Sequence, residues 1–117
     1  LEQCEAERVR LADVVEHSIQ PIFTVSALGV IQTWNTGAVR TYGYRVDEAV
    51  GSPISLLLPL EAVEEPREVR ESLTTGRLKR VAAVRRHKDG RLLDVLSTVT
   101  PIRDSVGRST ASLRVDQ

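Results

Sequence analysis

Residues 29–58 read GVIQTWNTGAVRTYGYRVDEAVGSPISLLL, and this stretch predicts how the rest of the chain is organised. Val30 to Trp34 is rich in β-branched and aromatic residues, which are typical of a short strand. Asn35 follows at once, and its side-chain oxygen suits a helix N-cap because it accepts from the free amides of the first turn. Gly43 ends that helix, since glycine tolerates the left-handed backbone in which helices commonly terminate. A strand therefore passes directly into a short helix.

The stretch continues into a second helical turn. Val46 to Val50 predicts this turn, and Gly51 and Pro53 end it, because a residue that precedes proline is biased away from helix. Before the stretch, Ile22 to Val25 predicts a first strand, and the residues at 26–29 form its turn. Two strands and two short helices are thus predicted within the first half of the chain.

One longer helix is predicted in the second half. It begins at or just before Pro66 and ends near Gly76, with acidic residues early and arginines later, as the helix dipole favours. We expect four acidic residues of this region to lie on a solvated helix, namely Glu61, Glu64, Glu65 and Glu68.

Three further strands follow, at Lys79 to His87, Leu92 to Ile102 and Ser109 to Val115. Asp89-Gly90 joins the first two as a tight hairpin. The run from Leu92 is apolar at both parities, which predicts a central strand covered on both faces. The five strands with their helices favour an α+β layer architecture.

Residues 1–17 predict a separate flanking helix, and residues 18–117 the main domain. A helix from about 2 to 16 is indicated by helix formers and by an apolar seam at Leu1, Cys4, Leu11 and Val15. This helix either covers a face of its own domain or pairs with its copy in a dimer, and both can hold at once. Pro21 breaks it.

The composition excludes several classes of protein. A chain of 117 residues with a formal net charge of zero has no global field that would attract nucleic acid. No apolar span is long enough to predict membrane insertion. The single cysteine excludes an internal disulfide and suits a reducing cytoplasm. The initial Leu1 indicates a fragment of a longer protein.

Six motifs occur together in one order and carry a resemblance to a known family. They are Gly-x-Ile-x-x-Trp-Asn at 29–35, Tyr-Gly-Tyr at 42–44, Asp-Glu-Ala-Val-Gly at 47–51, Leu-Pro at 58–59, Lys-Asp-Gly-Arg at 88–91 and Pro-Ile-Arg-Asp at 101–104. Over residues 18 to 116 the chain resembles the PAS sensory domain. The resemblance implies a five-stranded antiparallel sheet in the order 2-1-5-4-3, with the short helices and one longer helix on one face.

The resemblance also implies a small pocket between the helices and the sheet. Its expected walls, chosen by pattern and family position, are Phe23, Val25, Trp34, Asn35, Val39, Tyr42, Leu57, Val69, Leu73, Val84 and Val99. Family members pair a glutamate of the short-helix motif with a lysine of the hairpin turn, which implies an ion pair between Glu48 and Lys88 across the mouth of the fold.

The cofactors of PAS relatives leave checkable signatures. Haem-binding members carry an axial histidine on the long helix, and none lies between Pro59 and Gly76. Photoactive members of the LOV type carry a cysteine at the position of residues 51–57, and this chain has none there. A redox flavin stays open if Trp34 and Asn35 contact it; alternatively Trp34 fills the core and Asn35 caps its helix.

The sequence predicts no enzyme and no metal site, because neither His17 nor His87 belongs to a zinc or triad spacing. The resemblance implies a sensory and dimerising module of a larger bacterial signalling protein. Asp116 matches the first residue of an Asp-x-Thr motif that passes into an output helix, so we expect the output domain beyond it. Whether the pocket holds a ligand or the module relays signals without one stays open.

Overall fold

The computed structural model describes residues 17–62 and 64–117, and for Ser109 the backbone only. The helix predicted at about 2–16, with Leu1, Cys4, Leu11 and Val15, lies outside the described residues. Within the described part of the chain, no helix has the length and the apolar character needed to cross a membrane.

The elements agree with the predicted ones to within about one residue at each end. The strands β1 to β5 lie at Ile22–Ser26, Ile31–Trp34, Lys79–Arg86, Leu92–Arg103 and Ser109–Asp116. The helices α1 to α3 lie at Thr36–Tyr42, Val46–Ala49 and Arg67–Thr75, and a short 3₁₀ helix lies at Ile54–Leu57.

The strands form one antiparallel sheet in the order β2-β1-β5-β4-β3, which confirms the implied topology. β5 is therefore the central strand, between β1 and β4. We call the face that carries Phe23 and Val99 the inner face, because the helices pack against it. The opposite face is the outer face. Side chains of β5 that point inward consequently lie in the middle of the fold.

Asn35 fixes the passage from β2 into α1. Its Oδ1 accepts from the backbone N–H of Ala38 at 2.8 Å, so the predicted N-cap is confirmed. The same oxygen accepts from the N–H of Ile22 at 2.9 Å, and Nδ2 donates to the carbonyl of Gln20 at 3.0 Å. Gly43 ends α1 with a φ of 82°, in the left-handed region, as predicted. One buried side chain thus ties the first helix to the segment that enters β1.

β3 corrects one predicted pocket wall. Val81, Ala83 and Arg85 are buried, whereas Val84 is 39% exposed and lies on the outer face. Val84 therefore does not lie between the helices and the sheet, where the pocket was expected, but it lines a separate cleft of about 270 Å³ beside Leu58 and Pro59. The pattern misleads because Arg85 shares the parity of Val81, and a charged side chain ordinarily marks the exposed face. A shift of one residue in a strand moves the chosen side chain to the other face.

Replacing Asn35 tests how much this capping residue stabilises the fold. We expect Asn35→Ala to lower the free energy of unfolding by about 2 kcal/mol, because the cap is lost and the Ile22 amide loses its acceptor. Urea denaturation measures the difference. Gln32→Ala, at an exposed position of β2, is the matched control with an expected loss below about 0.5 kcal/mol. Equal losses in the two variants would contradict this role of Asn35.

Candidate functional site

The centre of the inner face is polar. Ser112, Arg114 and Asp116 of β5 are all buried, and they alternate with apolar residues that point to the outer face. Arg114 lies opposite Phe23 of β1 and Val99 of β4, so the polar row runs through the middle of the sheet. Charged side chains are almost never fully buried unless they are paired. The partners of this row therefore decide whether the fold is stable.

Arg114 is paired with Glu65. Its Nη1 and Nη2 donate to Glu65 Oε2 and Oε1 at 2.6 and 2.9 Å, which is the bidentate geometry of strong arginine–carboxylate pairs. Its Nε donates to Ser112 Oγ at 2.9 Å. The side chain of Glu65 is only 11% exposed and lies before α3, so the expectation that Glu65 is on a solvated helix is wrong. The other three acidic residues of that expectation are exposed, although only the last lies on the helix: Glu61, Glu64 and Glu68.

Arg85 reaches the same place from β3. Its Nε donates to Asp116 Oδ2 and its Nη2 to Ser97 Oγ, both at 3.3 Å. Its Nη1 lies 4.0 Å from Glu65 Oε2. Asp116 Oδ2 also accepts from the hydroxyl of Tyr42 at 2.5 Å. Five side chains thus form one connected group, which we call the buried ion cluster: Tyr42, Glu65, Arg85, Arg114 and Asp116.

The charges of the buried ion cluster balance, since two guanidinium groups face two carboxylates. Balance is needed because moving a single ion from water into the protein interior costs several kcal/mol. Deleting one partner of a buried ion pair therefore typically lowers the free energy of unfolding by about 3 to 5 kcal/mol. Two atoms, Arg85 Nη1 and Asp116 Oδ1, make no hydrogen bond to the described residues. The cluster therefore keeps one donor and one acceptor for a further polar contact.

An open cleft of about 440 Å³ reaches the cluster from the surface. Glu65 and Arg114 line it, together with Glu64 and Arg70. The rest of its lining is mainly apolar and includes Val25, Ile54, Leu58 and Leu73. The cleft thus combines a charged end with apolar walls.

A family profile described as the PAS fold matches residues 10–114. The chain belongs to the PAS family. Phytochrome C of Arabidopsis thaliana is 37% identical over 79 residues, which are 68% of this chain and 7% of phytochrome C. PAS domains are sensory modules, and this one corresponds to a small part of that much longer relative.

Two solved structures have the same fold. The PAS domain of a protein from Colwellia psychrerythraea is 20% identical with a TM-score of 0.81, over 95% of each chain. An RNA-binding light-oxygen-voltage receptor is 17% identical with a TM-score of 0.81, over 94% of this chain and 32% of its own.

Nine of the eleven expected pocket walls of this PAS domain belong to, or pack against, two apolar clusters. Five of them lie in a larger cluster with Val39 packed against it: Phe23, Val25, Trp34, Tyr42 and Leu57. Val69 and Val99 lie in a smaller cluster with Leu73 packed against it. Because Arg114 lies between Phe23 and Val99 in the sheet, the polar row separates the clusters.

Aromatic rings fill the larger cluster. The ring centroids of Phe23 and Trp34 are 5.2 Å apart, and those of Trp34 and Tyr42 are 5.8 Å apart. The indole N–H of Trp34 donates to the carbonyl of Tyr44 at 3.0 Å. Trp34 therefore packs in the core and Asn35 caps its helix. This agrees with the alternative in which neither residue is needed for a flavin contact. Two of the expected walls, Val25 and Leu73, also line the open cleft beside Arg114.

The ion pair expected across the mouth of the fold is present. Lys88 Nζ lies 2.6 Å from Glu48 Oε2. The backbone N–H of Arg45 and then Lys88 hold the pKa of the Glu48 carboxyl below its usual range. Both residues are on the surface and lie apart from the buried ion cluster.

Sequence reasoning missed Arg85, Arg114 and Glu65 as members of a site. On β5 the polar residues share one parity and the apolar residues the other, and such alternation ordinarily places the apolar parity inside. The available signal was Asp116, which matches an aspartate of the family motif. A buried carboxylate requires cationic partners, so arginines that point inward from the strands could have been sought.

Tyr42 makes the free energy of unfolding depend on pH. Burial first, and then the Asp116 carboxylate, raise the pKa of Tyr42 far above its ordinary value. Below the ordinary tyrosine pKa of about 10 the phenol is neutral in both the folded and the unfolded chain, and its stabilising contribution is complete. Above that pH the unfolded chain releases the proton while the folded chain keeps it. Stability is therefore lost as the pH rises.

We expect this tyrosine to contribute a loss of about 1.4 kcal/mol in unfolding free energy per pH unit above about pH 10. Tyr42→Phe removes the ionising group, so its free energy of unfolding falls less steeply between about pH 10 and 11.5. Denaturant titrations of both proteins, referenced to pH 7, measure the two slopes. Identical slopes would contradict burial of the Tyr42 phenol beside Asp116.

Proposed function

We propose that this PAS domain is the sensory and dimerising module of a larger bacterial signalling protein. It passes a change at the cleft to an output domain, such as the histidine kinase of a two-component system or a cyclic-dinucleotide enzyme. The observation that supports this proposal is the connected path through the buried ion cluster. Glu65 and Arg114 line the cleft, Arg85 approaches Glu65, and Asp116 binds Arg85 at the end of β5.

The end of the path is suited to a relay. The backbone N–H of Asp116 donates to the carbonyl of Pro21 at 3.0 Å. The start of β1 and the end of β5 therefore lie side by side, and a shift of Asp116 would move both flanking segments together. A ligand biases such a two-state arrangement only through its different affinities for the two states.

A sensor with a non-covalent ligand is the second candidate function. The cleft of about 440 Å³ favours it, because Arg114 and Glu65 of the buried ion cluster line this cleft. A redox flavin is a weaker form of this candidate, because Trp34 and Asn35 already bond to the protein itself.

We also propose that the outer face takes part in a homodimer, together with the predicted helix at 2–16. Val84, Leu96 and Ile102 are 39%, 36% and 41% exposed on this face. These three exposed apolar side chains on one face of the sheet are the basis of the proposed interaction surface. A second copy of the chain is the proposed occupant of this face.

We propose a reducing cytoplasm as the location of the protein, because it suits the single cysteine.

Fusion to a histidine kinase tests the relay. In a chimaera in which this domain replaces the PAS domain of a PAS-linked kinase, we expect Asp116→Asn to change the autophosphorylation rate by about fivefold or more. The substitution removes the charge that holds Arg85 at the end of β5. Incorporation of radiolabelled phosphate measures the rate.

Asp104→Asn is the matched control, because Asp104 lies in a turn and accepts only local hydrogen bonds. It is expected to leave the rate within about twofold of the parent. If Asp116→Asn remains folded and behaves like the control, the proposed relay through the buried ion cluster is wrong.

Native mass spectrometry of the 117-residue chain tests the dimer. We expect a dimer that becomes mainly monomeric in Leu96→Asp, because a charge in an apolar contact lacks a partner. Thr110→Asp, at an exposed position near the β4–β5 turn, is the control and stays dimeric. A chain that is monomeric at micromolar concentration without the substitution would overturn the proposed interface.

A further inference from the structure

We infer that Arg114 and Arg85 form a binding site for a small monocarboxylate with an apolar body, and that the side chain of Glu65 occupies this site in the present structure. The inference deepens the proposed sensory role by naming a ligand class. Only the biological meaning of the site rests on the proposed sensory role, because ligand binding is measured separately from any output.

The geometry at Arg114 is that of a carboxylate receptor. Both of its terminal nitrogens bond to the two carboxylate oxygens of Glu65, at 2.6 and 2.9 Å. Ser112 holds the guanidinium in place through Nε at 2.9 Å. A planar guanidinium fixed in this way recognises any carboxylate that reaches the same position.

Arg85 adds a donor that Glu65 does not use. Its Nη1 is fully buried, lies 4.0 Å from Glu65 Oε2 and makes no hydrogen bond to the described residues. Asp116 neutralises the rest of this arginine at 3.3 Å. A ligand carboxylate placed slightly deeper than that of Glu65 would bond to both arginines, and the cluster would keep its balance of two positive and two negative charges.

Glu65 is the member of the cluster best placed to leave. It belongs to the irregular segment between the 3₁₀ helix and α3, whereas the arginines lie on strands. Its side chain is 11% exposed, compared with 0% for Arg85 and 1% for Arg114. Once displaced, its carboxylate is hydrated by water, so the exchange leaves no charge buried without a partner.

The cleft determines the rest of the ligand. Beyond Arg114 its walls are mainly apolar, with Val25, Ile54, Leu58 and Leu73 among them, and these suit an alkyl or aromatic body. Arg70 also lines the cleft but is paired with Glu64 at 3.7 Å, so the described lining offers no unpaired cation to a second negative charge. The structure therefore favours an apolar monocarboxylate over a dicarboxylate or a phosphate.

Octanoate is a suitable probe, with octanol as the matched uncharged control. Isothermal titration calorimetry on the 117-residue chain gives Kd for the natural protein and for Glu65→Ala. We expect octanoate to bind Glu65→Ala at least about tenfold more tightly than the natural chain. In this variant the competing carboxylate of Glu65 is absent, and Arg114 lacks its anionic partner. Octanol gains no such advantage.

Two further variants show whether the buried arginine is responsible. The double variant Glu65→Ala, Arg114→Met removes both partners of the ion pair, and a fold tolerates this better than the loss of one partner. We expect this variant to lose the tighter binding of octanoate. Arg40→Met in the Glu65→Ala background removes an exposed arginine of α1 that does not line the cleft, and it is expected to keep Kd within about twofold.

The inference is overturned if octanoate and octanol gain equally, if Glu65→Ala binds no tighter than the natural chain, or if the tightening persists without Arg114. If Glu65→Ala unfolds, recovery of its thermal transition by octanoate but not octanol supports the site, and recovery by neither overturns it. A chain that binds octanoate while the kinase chimaera ignores it would remove the sensory role and leave the binding site intact.

Discussion

The bidentate pairing of Arg114 with Glu65 is the constraint on which the inner face depends. Arg114 lies on the central strand and is buried, so its charge has no access to bulk water. Deleting one partner of such a pair typically costs about 3 to 5 kcal/mol. The segment that carries Glu65 must therefore lie over the middle of the sheet. Because α3 begins two residues later, at Arg67, this pairing also helps to position the long helix.

The polar row divides the interior into two unequal parts. The larger part is an aromatic cluster beneath α1 and α2, and the smaller part is an aliphatic cluster beside α3. Tyr42 joins the aromatic cluster to the polar row, because its ring packs against Trp34 while its hydroxyl donates to Asp116 at 2.5 Å. The first helix and the end of the last strand are consequently held by one side chain, and neither moves without disturbing the other.

Local chemistry was sufficient to predict the individual helices and strands, whereas the order of the strands in the sheet was implied by the resemblance to the PAS domain. Asn35 and Gly43 bound α1 as expected, because a cap and a left-handed terminus are decided by a few neighbouring residues. The inner face was less predictable. Arg114 and Glu65 are 49 residues apart, and no local pattern states which acid meets which arginine. The face on which Val84 lies was unpredictable for the same reason, since the parity of β3 depends on a partner for Arg85 that only the folded sheet supplies.

The hydrogen bond from Asp116 to Pro21 has an evolutionary consequence. A unit whose entrance and exit adjoin can be spliced into a host polypeptide, duplicated or removed without pulling the flanking parts of the host away from each other. Recombination at this junction is then tolerated. The proximity of the two strand ends would allow such a unit to recur in tandem and in unrelated chains, independently of what its interior binds.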